Sequence, residues 1–415
     1  MSSRLASSLV MVDELNPRIK EALVRLKSVT TSTNNPVTHD GHTKKSDVEF
    51  VYTSSPKWPL PSSFSLSRVP QGQQRQPIPI RVIILDSSFN PPTRAHLALA
   101  SVELSTLIPA DPAVNAGHNQ GLPHEVQLLL LSVTNADKRL KVGDATYEPR
   151  LEMMCLVANE MEEGTEGTEG ESGRSESGNR RAAEAEIKSS LLSSSSRNVA
   201  VAAIDEPTFV GKSKKLKEEI SKRIQEIGLG GVETGDADMP PFALSLYFVL
   251  GFDTVTRLFD TKFYNGSHDE MSDALGRFFN EDDSYVICAR RTLSTTTQGG
   301  VSLRENRQRG QDGPRDDGVE KEKEEEERFL SSEMVSPLVR QGKILLFDFE
   351  DPLLKRVSST KARDSVRSSY SDPVQERREI DSGSISEIEA NLTHRIATYV
   401  ASRRLYLPNN ADGIL

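Results

Sequence analysis

Two short segments of the sequence hold residue types that bind phosphate. The first, residues 86–96 (DSSFNPPTRAH), follows a run of Val, Ile and Leu and leads into a helical pattern that begins near Thr93. Free backbone N–H groups at a helix N-terminus, with hydroxyls and an imidazole nearby, form an anion site. Thr93 and His96 are three residues apart, so both can face the same phosphate. The alternative is an ordinary capped helix with His96 at the surface.

The second segment, residues 357–363 (VSSTKAR), also follows a strand-like run. The hydroxyls of Ser358, Ser359 and Thr360 would cap a helix, and Arg363 lies one turn further on. A planar, permanently charged guanidinium suits a polyphosphate. The pattern therefore predicts a second phosphate site, with an ordinary N-cap followed by basic surface residues as the alternative.

A third segment places Gly251 and Asp253 at the end of an apolar run. An Asp just past a strand commonly accepts hydrogen bonds from ribose hydroxyls, although a turn Asp is equally compatible with this pattern. Residues 211–213 (GKS) match the end of a phosphate-binding loop. Because Glu206 occupies the position of that loop's first glycine, we attribute the match to chance.

The elements that must position these segments alternate between strand and helix patterns. Such alternation predicts an α/β fold with a mostly parallel sheet covered on both faces. Ligands bind at the carboxyl ends of the strands in such sheets, and all three segments follow strands. The predicted strands are 81–85, 198–204, 244–250, 284–289 and 343–349, with 126–133 open between strand and helix; the predicted helices are 93–106, 147–161, 212–227 and 385–405.

Composition narrows the class of protein. The 415 residues carry 51 Lys and Arg against 61 Asp and Glu, and this net charge of −10 argues against a nucleic-acid binder. No apolar run reaches the length of a membrane span, and the N-terminus lacks a signal-peptide pattern. The two cysteines suit a reducing compartment. We therefore expect a soluble protein of the cytoplasm, the nucleus or both, with its protein partners left open.

The same composition predicts one domain at 80–408, followed by a short tail at 409–415. Residues 31–80, 162–197 and 294–333 are too polar to bury a core, so we expect a mostly disordered extension at 1–79 and two disordered insertions. A short helix at 13–28, docked on the domain or bound to a partner, is left open. The acidic run at 320–328 reads as solvated, with a partner-binding role as the alternative.

Taken together, the motifs resemble those of the nicotinamide mononucleotide adenylyltransferases, particularly the fungal branch of this nucleotidyltransferase family. Residues 86–96 are similar to the family's GSFNPxTxxH, and residues 357–367 to its ISSTxxRxxxR. Residues 246–264 are similar to its strand followed by GxDxxxxFxxPxxW. Ser87 stands where the family has glycine, and Tyr264 where it has the Trp that stacks on nicotinamide. The resemblance implies a Rossmann-like, doubly wound sheet.

The resemblance also implies the reaction, adenylyl transfer from ATP to nicotinamide mononucleotide. His96 would donate to the α- or β-phosphate with help from Thr93, and the 358–363 segment would hold the β- and γ-phosphates. Ser88 and Phe89 would approach the mononucleotide, Gly251 and Asp253 the adenosine, and Lys138, with Arg139 as rival, would neutralise charge. Mg²⁺ would accompany ATP without a metal site made by protein side chains. A different acceptor, ATP hydrolysis alone and a non-catalytic nucleotide-binding module remain the alternatives.

Overall fold

A computed structural model describes residues 3–30, 46–61, 64, 77–108, 124–134, 141, 143–163, 197–229, 241–290, 317–349, 351–369 and 388–407. Its seven strands form one sheet. Most of the strands are continuous runs of apolar residues, as expected for a sheet that is buried on both faces. The strands are β1 (Val48–Thr53), β2 (Ile78–Asp86), β3 (His124–Ser132), β4 (Val199–Ile204), β5 (Phe242–Gly251), β6 (Ser284–Ala289) and β7 (Ile344–Phe347).

The sheet order is β1-β4-β3-β2-β5-β6-β7, and every pair is parallel except β1 with β4. The chain therefore builds outward from β2 through β3 to β4, then returns and builds the other way from β5. The point where the order reverses lies between β2 and β5, and a crevice forms there at the carboxyl ends of the strands. The predicted doubly wound α/β sheet is confirmed, and residues 124–132 are a strand.

Helices cover both faces. On what we call the first face, Ile83 and Leu85 of β2 pack with α1 (Ser3–Thr30), α2 (Arg94–Ala100), α4 (Tyr147–Glu163), α10 (Ser359–Ser369) and α11 (His394–Ser402). On the second face, Val82 and Ile84 pack with α5 (Phe209–Leu229), α6 (Phe252–Leu258), α7 (His268–Gly276) and α8 (Asp317–Leu330). The short helices α3 (Leu104–Leu107) and α9 (Ser336–Arg340) complete the set, with single helical turns at Thr261–Phe263, Arg277–Glu281 and Pro352–Arg356.

The expectation that residues 31–80 cannot bury a core is wrong for the part of that stretch that the structure describes, and the N-terminal helix, whose docking was left open, packs on the domain. Helix α1 is longer than the 13–28 segment and docks on the first face, where Val12, Ile19 and Leu26 are fully buried. Strand β1 extends the sheet, and Trp58 beyond it has no exposed surface. A few apolar residues are enough to hold these segments in place, because they pack against a core that the rest of the domain already forms.

The acidic run 320–328 is likewise not a solvated loop, since it lies within helix α8. Glu326 is buried and paired with Arg290 at the end of β6, and Phe329 packs edge-on against Phe252.

Two predicted helices are interrupted: 93–106 divides into α2 and α3, and 385–405 into 388–391 and α11. Across the described ranges, no helix combines the length and the apolar composition needed to span a bilayer.

Candidate functional site

The first segment predicted to bind phosphate, residues 86–96, forms the turn between β2 and α2. Thr93 is the N-cap of α2 and forms a reciprocal capping box with His96. The backbone N–H of Thr93 donates to His96 Nδ1 at 3.1 Å, so this nitrogen carries no proton in the neutral ring. The proton must then lie on Nε2, which is 2.9 Å from the Ser87 hydroxyl oxygen and donates to it. Ser87 therefore lies between the imidazole and the cavity at the carboxyl ends of the strands.

Burial lowers the pKa of His96 to about 4, from an ordinary value of 6.5. We therefore expect the ring to stay neutral, with its proton on Nε2, throughout pH 6–8. Between pH 4 and 6.5 the unfolded chain binds more protons at this residue than the folded one. Its contribution to the free energy of unfolding therefore falls as the pH is lowered through that window. An NMR titration of the imidazole should give a midpoint near 4, and a midpoint near 6.5 would contradict this placement.

The second segment docks directly on the first. Ser358 caps helix α10 by accepting from the Lys361 N–H at 3.2 Å. The Ser359 hydroxyl donates to the Pro91 carbonyl at 2.8 Å. Arg363 donates to the Asn90 carbonyl at 2.5 Å and to the Thr360 hydroxyl at 3.3 Å. Two segments more than 260 positions apart in the chain thus form one hydroxyl- and cation-rich surface.

A cavity of about 860 Å³ opens beside this surface, at the carboxyl ends of the strands. Arg150, fixed by the Ala145 carbonyl at 2.8 Å and the Ser88 carbonyl at 3.3 Å, contributes a buried cation to its wall. The first-face side of the cavity is hydroxyl- and cation-rich, and the second-face side, which we call the aromatic side, combines three aromatic rings with Lys212 and Arg257. The first side includes Lys141, Asp144, Arg150, Ser359, Thr360 and Arg363; the second includes Phe209, Lys212, Leu258, Phe263 and Tyr264.

The predicted site residues fall into two groups. Ser88, Ser359, Thr360 and Arg363 line the cavity directly. Six others do not belong to its wall. Thr93 and His96 lie behind Ser87, and the fully buried Phe89 ring is centred 5.4 Å from the His96 ring. Gly251, Asp253 and Ser358 are exposed elsewhere, and Lys138 lies outside the described residues. The backbone at Phe89 has φ of 45°, a conformation rarely adopted by bulky residues and concentrated at functional turns.

Of the charged residues of the wall, sequence reasoning predicted only Arg363 as a site residue and missed six: Asp86, Lys141, Asp144, Arg150, Lys212 and Arg257. Asp144 approaches both Arg150 and Arg363, at 3.8 and 3.9 Å. Asp86 and Lys212 form a second ion pair. A weak signal existed for Lys212, which sits in the first turn of a helix that follows a strand. Within the part of the chain that the structure describes, no cluster of three His, Cys, Asp or Glu side chains could hold a metal ion.

The aromatic side of the cavity has a defined geometry. The Tyr264 hydroxyl donates to the Leu258 carbonyl at 2.9 Å, and burial raises its pKa to about 12, so it remains protonated. Phe209 packs edge-on against Phe248 of the sheet, with ring centroids 6.0 Å apart. Flat apolar rings held in this way offer surfaces for stacking an aromatic base.

One curated protein matches part of the chain in sequence. The chain is 25% identical over 217 residues to the "Putative nicotinamide mononucleotide adenylyltransferase" of Schizosaccharomyces pombe. That match takes in 52% of this chain and 55% of the relative, so the chain spans about half the length of the curated protein it matches. No family model matches the chain.

Two solved structures of Plasmodium falciparum nicotinic acid mononucleotide adenylyltransferase also align with it. One is complexed with NaAD and the other with APC, at TM-scores of 0.34 and 0.30 and identities of 14% and 12%. Each alignment covers 79% of this chain, with 97% and 96% of the respective solved chain.

Proposed function

We propose that the protein transfers an adenylyl group from ATP to nicotinamide mononucleotide, giving NAD and pyrophosphate. The observation that carries this proposal is the docking of the 358–363 segment on the 86–96 turn, through the Ser359 and Arg363 hydrogen bonds. It brings the turn that precedes α2 and the start of α10 to one cavity, whose wall includes Ser87, Ser88, Ser359, Thr360 and Arg363. The similarity to a protein named as an adenylyltransferase supports the same reaction.

The chemistry needs no side-chain nucleophile. A phosphate oxygen of the mononucleotide attacks the α-phosphorus of ATP in line. A new P–O bond forms, and the bond to the β-phosphate oxygen breaks with its electron pair leaving on pyrophosphate. Catalysis is then positioning and charge stabilisation. Arg363 and the Ser359 and Thr360 hydroxyls would bind the departing phosphates, and Arg150 would add a buried positive charge nearby.

Magnesium would enter with ATP rather than occupy a site made by protein side chains. The carboxylates that line the cavity, Asp86 and Asp144, are each engaged by lysine or arginine. Mg²⁺ keeps several waters and is commonly held through substrate phosphates. It would supply charge neutralisation at the triphosphate, while the residues of this chain orient the two substrates.

The proposal is tested by incubating purified protein with ATP and Mg²⁺. The acceptor is nicotinamide mononucleotide, its nicotinic acid form, or none, and products are resolved by mass. Pyrophosphate and a dinucleotide formed in equal amounts are expected. ADP and phosphate appearing without an acceptor would replace the proposal with ATP hydrolysis. ATP binding without turnover would replace it with a non-catalytic nucleotide-binding module.

A further inference from the structure

An ion pair is built into the wall of the cavity. The Lys212 ammonium lies 2.5 Å from one carboxylate oxygen of Asp86, and these side chains are only 5% and 7% exposed. Asp86 ends β2, the strand at the point where the sheet order reverses. Lys212 lies in the first turns of α5. Because taking two charges out of water is costly, a gain in folding stability does not by itself explain a buried ion pair at this position.

Both partners keep hydrogen-bonding capacity toward the cavity. The second oxygen of Asp86 accepts from the Ser132 hydroxyl at a long 3.3 Å, and a carboxylate can accept several bonds. The Lys212 ammonium has three N–H donors and lies 4.6 Å from the centre of the Phe209 ring. A ligand group in the cavity can therefore meet an acceptor, a donor and an aromatic ring together.

The fold places this pair on the aromatic side of the cavity. Side chains alternate along β2, so Asp86 shares the second face with Val82 and Ile84. The residues proposed for phosphate binding, Ser359 and Arg363, lie on α10 of the first face. In an in-line transfer the mononucleotide enters on the side of the α-phosphorus opposite the pyrophosphate that those residues would bind. Its base would then lie toward the Asp86–Lys212 pair.

We propose that the Asp86–Lys212 pair selects acceptor mononucleotides that carry a carboxamide over those that carry a carboxylate. A carboxamide has one acceptor oxygen, which suits Lys212, and N–H donors, which suit Asp86. A carboxylate has no donor for Asp86 and would place a second negative charge beside it, and such like-charge contacts oppose binding. This inference rests on the proposed adenylyl transfer and names the acceptor of that same site.

The test compares two acceptors, nicotinamide mononucleotide and nicotinic acid mononucleotide. In the unaltered protein, kcat/KM should favour the amide by at least about tenfold, the ratio that 1.4 kcal/mol produces. Asp86→Asn removes the negative charge at nearly constant shape, so we expect the preference to fall by about tenfold through better use of the acid. Lys214→Gln, an exposed lysine on the same helix, is the matched control and should leave the preference unchanged.

Because Asp86→Asn leaves Lys212 buried without its counter-ion, that variant could lose stability. The neutral double variant Asp86→Asn/Lys212→Gln avoids the unpaired charge, and we expect it to use the two acceptors within about threefold of each other. An unchanged preference in either folded variant would overturn the inference. Arg257 is another cation of the same wall. The inference would also be overturned if Arg257→Gln, rather than the substitutions at Asp86 and Lys212, changed the preference between the two acceptors.

Binding measurements separate this inference from the proposed function. Calorimetry with each mononucleotide in the absence of ATP should show tighter binding of the amide. If the protein binds the amide selectively but forms no dinucleotide, adenylyl transfer fails while the pair's selectivity stands. Dinucleotide formation with equal use of both acceptors would leave the transfer standing and reject the selectivity. Absence of binding by either mononucleotide, together with no dinucleotide in the presence of ATP, would reject both.

Discussion

Replacing His96 by alanine should lower the turnover number several hundredfold while leaving the KM for ATP within about threefold. The expected loss of roughly 3–4 kcal/mol is that of a donor aimed at charge that develops in the transition state. The Thr93 N–H fixes the tautomer and leaves the proton on Nε2, which donates to the Ser87 hydroxyl of the cavity wall. A phosphate oxygen that displaces this hydroxyl would receive the same hydrogen bond. A neutral ring with a fixed proton loses little to reorganisation when the phosphate oxygens gain charge.

The measurement is steady-state dinucleotide formation at saturating substrates, with thermal unfolding to verify the fold. His268→Ala is the matched control, since His268 is exposed at the start of α7 and should change turnover little. His96→Gln preserves a donor on a longer side chain and should recover part of the loss. Near-normal turnover in a folded His96→Ala protein would remove this residue from the mechanism.

Replacing Glu326 by alanine should reduce the free energy of unfolding by about 3 kcal/mol. Glu326 is only 1% exposed, and its carboxylate pairs with the Arg290 guanidinium, which also approaches Asp348 at 3.7 Å. Removing one partner of a buried pair leaves the other charge poorly compensated, and this penalty exceeds the modest gain from a better helix former.

Urea unfolding followed by circular dichroism gives this free energy from the transition midpoint and slope. The neighbouring Glu325→Ala is the matched control, because Glu325 is exposed on the same helix and should change stability by less than about 0.5 kcal/mol. Equal small effects at both positions would mean that α8 is held to the domain by Phe329 and its apolar neighbours alone.

The sequence alone determined the fold class and the strand ends that two of the three segments predicted to bind a ligand follow directly. Buried parallel strands require continuous apolar runs, and those runs stand out at 81–85 and 244–250. Capping residues are equally local, because the Thr93 and Ser358 hydroxyls each accept from a backbone N–H three positions further along the chain. Patterns of this kind need no knowledge of distant parts of the chain.

Only the tertiary structure decided which charges meet. Lys212 and Asp86 are 126 positions apart, and Glu326 and Arg290 are 36 apart, so no local pattern pairs them. Within the acidic run, Glu325 and Glu326 have the same chemistry, yet the packing of α8 buries only the second. The same limit applies to His96, whose neutral state follows from burial behind Ser87, a property created by the packing of α2 against the sheet rather than by the motif itself.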